Sequence, residues 1–288
     1  MKTRPYVIVA PTWGHRADVR VLHTLCHELN SLGLDASLLL TAGQSGDSDT
    51  LLNPALHTPV INPLMERHWG AINEEAIVVY AGSVPGNPFN ARRVIRYVMN
   101  RQAPGAEAGA PGEYRVYLSK SFPVQRQASQ RVLFLLPVDL GLFHAKGAQA
   151  RTQDMLWLGA GVGLNGEAPP HLVPITESWP PTREELATQL RRTRHLHSYD
   201  AGALLNLEAA LCGAVVILHR LEGSAADLRA DFEAHESGTG GIAFGDSPFE
   251  IERAVRTRQE LVENLRYQQA SFRQRLLDFV HETQLHFK

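Results

Sequence analysis

His195-Leu-His-Ser-Tyr-Asp200-Ala-Gly-Ala-Leu-Leu-Asn-Leu-Glu208-Ala-Ala-Leu-Cys-Gly213-Ala-Val-Val-Ile-Leu218 is the stretch that decides the fold. The pattern predicts a strand ending at Tyr199, a tight turn with Asp200 and Gly202, and a helix from Ala203 to Cys212. Gly213 stops that helix, and Ala214 to Leu218 reads as the next strand. A helix that begins at a strand's carboxyl end presents free N–H groups and a positive dipole end there, which favours an anion such as a pyrophosphate. Glu208 is the odd member of this helix, set among Leu204, Leu205, Leu207, Ala209, Ala210 and Leu211. Burying an unpaired carboxylate is costly, so Glu208 needs a partner or a polar cleft, and a ribose diol is one natural partner. Taken singly, Asp200 reads equally as a helix cap, and Glu208 as the mate of a core arginine or a backbone N–H.

The flanking chain repeats the same grammar. Tyr6 to Ala10 reads as a buried strand, Pro11 to His15 as a loop, and Val19, Leu22, Leu25, Cys26, Leu29 and Leu32 recur at helical spacing up to Gly33. Ala36 to Leu40 is the next strand, completing a parallel crossover unit. Thr41 to Pro63 is an elaborated loop, Ile77 to Tyr80 a strand, Asn90 to Asn100 a helix and Arg115 to Leu118 a strand. Ser119 to Gln130 is the linker. Val132 to Leu136 and Met155 to Leu158 read as strands of the second half, and Thr182 with Glu185 as a capping box opening a helix. Pro248 to about His286 is helical, with Ile251, Val255, Leu261, Leu265, Phe272, Leu276, Phe279 and Val280 as its buried face. Alternating elements in both halves predict an α/β protein with parallel sheets, whose ligands bind at the carboxyl ends of strands.

Composition narrows the function classes. The chain has 288 residues, enough for two domains at roughly 150 residues each. It is 44% hydrophobic and 20% charged with a formal net charge of −2, so it carries no electrostatic footprint for nucleic acid or a polybasic membrane surface. Cys26 and Cys212 make neither a disulfide framework nor a four-cysteine zinc site, and both read as small buried hydrophobes. The start of the chain lacks an apolar core long enough for a signal peptide, and Val132 to Phe143 and Ala203 to Leu218 fall short of a span. The expectation is a cytoplasmic protein.

These motifs resemble the bacterial retaining glycosyltransferases of the GT-B fold, the group 1 or family 4 type found in surface-polysaccharide synthesis. Their signature is an acid, seven residues, then a glutamate. Here it is Asp200 through Glu208, followed by Ala-Ala-Leu-Cys-Gly and a valine-rich strand. Ile175-Thr-Glu-Ser-Trp-Pro-Pro-Thr-Arg-Glu-Glu-Leu186, Val79-Tyr-Ala-Gly-Ser-Val-Pro-Gly-Asn-Pro-Phe-Asn-Ala-Arg-Arg-Val-Ile-Arg96 and Val21-Leu-His-Thr-Leu-Cys-His-Glu-Leu-Asn30 are similar to further segments of a polysaccharide-associated subset. The resemblance implies two Rossmann-like lobes, 1–125 for the acceptor and 126–265 for the nucleotide sugar, facing a central cleft, with 266–288 a helix returning toward the first lobe. It implies transfer of a hexosyl or deoxyhexosyl unit from a nucleoside-diphosphate sugar to a glycan or lipid-linked acceptor, with retention of configuration. No cofactor, metal or nucleic acid is implied. A lipid-linked acceptor would be met at the inner face of the membrane, by local contact or through a partner protein.

Carried over residue by residue, the resemblance gives Glu208 to the ribose hydroxyls. Asp200 and Tyr199 go to the donor sugar and phosphates, and the backbone at Leu204 and Leu205 to the diphosphate. Lys146 is the expected phosphate-clamping base, with Arg151 as a second candidate; His15 is placed at the reacting hydroxyl, and Trp13, Gly14 and Asn87 on the acceptor side. The chain departs from the pattern in having only Gly14 where the family has paired glycines, and Ala81-Gly82 where the subset has Pro-Glu. These departures keep two other readings open: a non-catalytic nucleotide-sugar-binding or partner subunit, and a GT-B-type sugar-nucleotide epimerase.

Other signals read as structural. Asp47-Ser48-Asp49 matches an Asp-x-Asp metal motif but sits in a Gly/Ser loop without a preceding apolar strand. His23 and His27 are i,i+4 neighbours without an obvious third ligand and read as a polar helix edge. His195 and His197 share one strand face and read as satisfied beside the cleft. No phosphate-loop pattern of the Gly-x-x-x-x-Gly-Lys-Ser/Thr type occurs, which argues against ATP enzymes of that class.

Overall fold

The computed structural model describes residues 3–14, 16–41, 51–62, 66–100, 112–123, 130–148, 150–159, 171–176, 178–219 and 224–288. Two compact units divide the chain: Met1–Pro137 with Gln269–Lys288, and Val138–Gln268.

In the first unit, β1 (Tyr6–Pro11) leads into α1 (Ala17–Ser31) and β2 (Ala36–Thr41). A short helix α2 (Glu66–Gly70), extended by one π-helical turn over Ala71–Glu75, precedes β3 (Ile77–Ala81), β4 (Val94–Val98) and β5 (Tyr114–Tyr117). All pairings are parallel, in the order β2-β1-β3-β4-β5. The apolar stripe of α1 is buried through Val19, Leu22, Leu25, Cys26 and Leu29, which pack with Ile8, Leu38, Val79 and Ile95. Gly33 ends the helix at φ +79°, a conformation that costs a side-chain-bearing residue about 1 kcal/mol or more.

The stretch predicted as a helix over Asn90 to Asn100 is instead the strand β4. Val94, Ile95, Tyr97 and Val98 are buried as a run, as a strand covered on both faces requires. Arg96 tolerates that burial because Glu113 pairs with it at 2.7 Å and the carbonyls of Val84 and Gly86 accept from its guanidinium. Val132 to Leu136 is no strand of the second half either. Only Val132 bridges, to Tyr117, and Leu133 and Leu135 complete the first unit's core.

The second unit begins its sheet with β6 (Gln153–Trp157) and β7 (Leu172–Pro174). Helix α3 (Arg183–Arg192) follows, its N-cap Thr182 accepting from the Glu185 N–H at 3.2 Å, and leads into β8 (Thr193–Ser198). Then come α4 (Leu204–Leu211), β9 (Val215–Leu218), α5 (Ala225–Ala234) and β10 (Ile242–Phe244). The order is β10-β9-β8-β6-β7, again entirely parallel. Sequence reading missed β7, α5 and β10: the strands have three residues each, and α5 buries no side chain to leave a periodic signal.

The last element, α6 (Pro248–His286), buries Ala254, Leu261 and Leu265 in the second unit and Leu276 and Phe279 in the first. Val255, expected on its buried face, is 51% exposed. Among the described residues no helix is long and apolar enough to cross a membrane.

Candidate functional site

The direction in which successive strands are added reverses once in each sheet. In the second unit β6 connects outward to β7, and the chain then returns to lay β8 on the other side of β6. At such a reversal open α/β sheets have a crevice at the strands' carboxyl ends, where they bind ligands.

Gly159 and Asp200 line that crevice. Gly159, two residues past the end of β6, has φ +76°, and a Cβ built on it would lie 2.7 Å from the Asp200 Cβ and 3.0 Å from Oδ2. Asp200 turns the chain after β8: its Oδ1 accepts the Gly202 N–H at 3.0 Å, and its carbonyl accepts from Ser198 Oγ at 3.1 Å and Asn206 Nδ2 at 2.7 Å. Helix α4 then starts at Leu204 with Ala203 as its N-cap, which supplies no side-chain acceptor. The first-turn N–H groups, those of Leu204 and Leu205 among them, keep their capacity for an anion. Gly159 was not singled out from the sequence, although the run Gly-Ala-Gly-Val-Gly from 159 to 163 directly after an apolar strand was the available signal.

Glu208 is buried in α4, and its partner is Arg183 in the first turn of α3. The Arg183 guanidinium also lies 4.5 Å over the Phe143 ring. Tyr199 stacks on His219 at 5.1 Å, and His219 stacks on His197 at 4.9 Å with a ring-nitrogen contact of 2.7 Å. Burial pushes both imidazoles below the usual histidine value, and for His197 the neighbouring His219 adds to it. Neither Arg183 nor His219 was picked from the sequence; the cap at Thr182 and the imidazole directly after the β9 strand were the signals.

Two expected cations lie elsewhere. Arg151 donates to the carbonyls of Gly213 at 2.9 Å, Cys212 at 3.0 Å and Arg191 at 3.2 Å, so it caps the C-terminal ends of α3 and α4. That is the amino edge of the sheet, where the negative helix ends attract a cation. Burial lowers the Arg151 pKa, and Arg258 lowers it further. Lys146 is exposed on the approach to β6. Its neighbour Ala145 sits beside Gly213, 3.3 Å from where a Cβ would be, again at the amino edge. The structure therefore brings Asp200, Tyr199, Leu204, Leu205 and Glu208 together on β8 and α4, and leaves Arg151 apart from them.

In the first unit the corresponding reversal lies between β1 and β3. Trp13 and Gly14 follow β1 there. The Trp13 N–H donates to the Leu51 carbonyl at 2.9 Å, and its ring meets His23 edge-on at 5.3 Å. His23 is fully buried, not part of a polar helix edge, with Nε2 at 2.9 Å from the Pro11 carbonyl; burial lowers its pKa. Asn87 uses its amide within its own loop, accepting from Tyr80 Oη and Ala91 N–H at 2.9 Å each and donating to the Ala91 carbonyl at 2.8 Å. His15 and Asp47-Ser48-Asp49 lie outside the described residues. Among the described residues one group has metal-ligand chemistry: Asp154, His195 and His197 hold ligand atoms within 4.8 Å of one another.

No protein-family model matches the sequence, and comparison with curated proteins finds no significant match. Among solved structures, an alpha-glucosyltransferase in complex with UDP and a 13-mer DNA is similar with a TM-score of 0.53 at 11% identity, over 97% of this chain and 100% of that one. A UDP-N-acetylglucosamine 2-epimerase from Listeria monocytogenes gives 0.49 at 11% identity, over 95% and 91%. The spinosyn forosaminyltransferase SpnP gives 0.46 at 12%, over 99% and 96%. The first of these likenesses, with the two parallel five-stranded sheets, establishes a GT-B-type α/β fold.

Proposed function

We propose that this GT-B chain is a glycosyltransferase. It moves a sugar of hexosyl or deoxyhexosyl type from a nucleoside-diphosphate donor to the hydroxyl of a glycan or lipid-linked acceptor, in bacterial surface-polysaccharide or glycan synthesis in the cytoplasm. The observation that carries the reading is the crevice of the second unit, where Gly159, Asp200 and the uncapped start of α4 converge at the sheet's reversal point. The same fold in a solved glucosyltransferase with bound UDP supports it as an analogy of fold.

In this reading the diphosphate sits on the α4 N-terminus. The N–H groups and dipole there stabilise the charge that develops as the bond to the sugar breaks, with no metal needed for that step. Glu208 takes the ribose hydroxyls. A carboxylate has about four acceptor positions, of which Arg183 meets one oxygen. Asp200 borders the donor sugar, and Tyr199 stands with it at the end of β8. Arg183, the ion-pair partner of Glu208, is a cation beside this site. The first unit takes the acceptor along the loop with Trp13 and Gly14, and any lipid-linked acceptor is reached by local contact or through a partner protein. Retention of configuration follows from the sequence resemblance alone.

A thermal-shift and hydrolysis panel of UDP-, GDP-, dTDP- and CMP-sugars tests the proposal. Stabilisation by one donor class, with turnover on addition of saccharide acceptors, is expected. Binding with no turnover under any acceptor supports the non-catalytic subunit instead, and conversion of the donor's sugar to its epimer supports an epimerase.

A further inference from the structure

We propose that Asp154, His195 and His197 form a binding site for one divalent transition-metal ion of the zinc type, separate from the transfer chemistry. The three residues occupy adjacent parallel strands, with Asp154 opposite His195 and Leu156 opposite His197. Strand alternation puts His195 and His197 on one face. Between Gln153 and Asp154 the register with β8 shifts by one residue, Arg194, and from there on Asp154 stands directly opposite His195. The outcome is a His195 Nδ1 to Asp154 Oδ1 separation of 3.2 Å and a three-residue set whose ligand atoms lie within 4.8 Å of one another. Two imidazoles and one carboxylate match the nitrogen and oxygen preference of zinc, leaving a fourth position for water. Tetrahedral zinc with ligand bonds of about 2.1 Å needs ligand atoms roughly 3.4 Å apart, so the set closes by side-chain rotation.

The surroundings fit that role. His197 Nδ1 lies 2.7 Å from His219 Nε2, and donating its proton there leaves His197 Nε2 as the free lone pair that a metal requires. Ring nitrogens that ligate metals are ordinarily fixed in this way by a hydrogen bond on the other side of the ring. In the metal-free chain Asp154 is balanced by Arg194, whose Nη2 stands 2.6 Å away on a side chain that is 58% exposed. The guanidinium also bonds Asp154 Oδ1 through Nε at 3.1 Å, so an arriving dication must displace a bidentate pair, a loss that its double charge and two imidazole ligands offset as the exposed arginine turns to solvent. A metal here would tie β6 to β8 a few residues below Gly159 and Asp200, holding the two sides of the crevice in register. The nearest alternative pair, His23 and His27, does not compete: His23 is bonded to Pro11, and His27 Nδ1 accepts the His57 N–H at 3.0 Å.

The test uses the full chain stripped with a chelator and dialysed. It is titrated with Zn2+ against a chromophoric chelator and, separately, with Co2+ while the visible ligand-field absorption is read. One equivalent per chain with tetrahedral-type Co2+ bands is expected. Asp154→Asn and His197→Ala should each weaken binding at least tenfold and His219→Ala by about tenfold, while His27→Ala binds as the parent does. Far-ultraviolet circular dichroism of the stripped proteins establishes that each variant folds without metal. Absence of stoichiometric binding, or equal binding by folded Asp154→Asn and His197→Ala, overturns the proposal. Loss of binding in His27→Ala also overturns it, by placing the ion elsewhere.

Discussion

Glu208 in α4 is held by Arg183 in the first turn of α3, with side-chain exposures of 2% and 31%. Two elements that come together on one side of the second sheet are thus locked through a carboxylate that has almost no water. Removing Arg183 leaves that charge unbalanced, which costs about 3–5 kcal/mol for a fully buried pair and less here, because a third of the arginine already meets solvent. We expect Arg183→Leu to destabilise by about 2–4 kcal/mol in urea unfolding, and Arg183→Leu with Glu208→Leu together to recover most of that loss. Additive losses in the double variant would contradict the pairing.

Gly159 packs its backbone onto the Asp200 side chain at a positive φ. Gly159→Ala meets both the conformational cost, about 1–2 kcal/mol, and a contact too short to keep. A stability loss above 2 kcal/mol and a nucleotide affinity at least tenfold weaker are expected. In an Asp200→Gly background only the conformational part should remain, which calorimetry of the two alanine variants measures.

Arg151 gives the opposite signature. It serves three carbonyls at the amino edge, with Arg258 also donating to Gly213 at 2.6 Å. Arg151→Met should lower stability by about 1–2 kcal/mol, moderated by Arg258, while leaving nucleotide affinity within twofold of the parent. A large affinity loss would return Arg151 to the donor site.

His23 predicts a pH dependence for the first unit. Burial lowers its pKa below 6.5, and the Pro11 carbonyl only partly opposes that. Below pH 6.5 the unfolded chain takes up a proton that the folded chain resists, so stability is full above 6.5 and falls as the pH drops below it. Urea midpoints between about pH 5 and 7.5 should flatten in His23→Gln relative to the parent. Parallel curves would exclude His23 as a source of the slope.

The sequence carried the centre of the second unit well. Asp200, the turn at Gly202 and the α4 helix stand where their pattern put them, because strand, turn and helix are consecutive and each leaves a local signal. The same reading required Glu208 to find a partner, and Arg183 is that partner, 25 residues upstream. Spacing along one helix does not reveal which other helix lies against it. Val94-Ile-Arg-Tyr-Val98 was misread because a short apolar run fits a buried helix and a buried strand equally, and only its pairing with β3 and β5 decides. Lys146 and Arg151 were placed by family position. The place of Arg151 at the amino edge follows from Gly213, where the end of α4 meets Ala145 and Arg151. The approach of Asp154 to the two histidines follows from the pairing of β6 with β8, which no periodicity within either strand encodes.

The most direct measurement is isothermal titration of the parent chain and of Glu208→Gln with the nucleoside diphosphate that gives the largest thermal shift. Glutamine keeps the shape of the side chain and removes its charge, and urea unfolding of both proteins, run alongside, separates loss of ligand contact from loss of the Arg183 pair. The account predicts stoichiometric binding by the parent and at least a tenfold loss in Glu208→Gln, equivalent to about 1.4 kcal/mol or more. Equal affinity in the two proteins, or no binding of any nucleoside diphosphate by the parent, would contradict it.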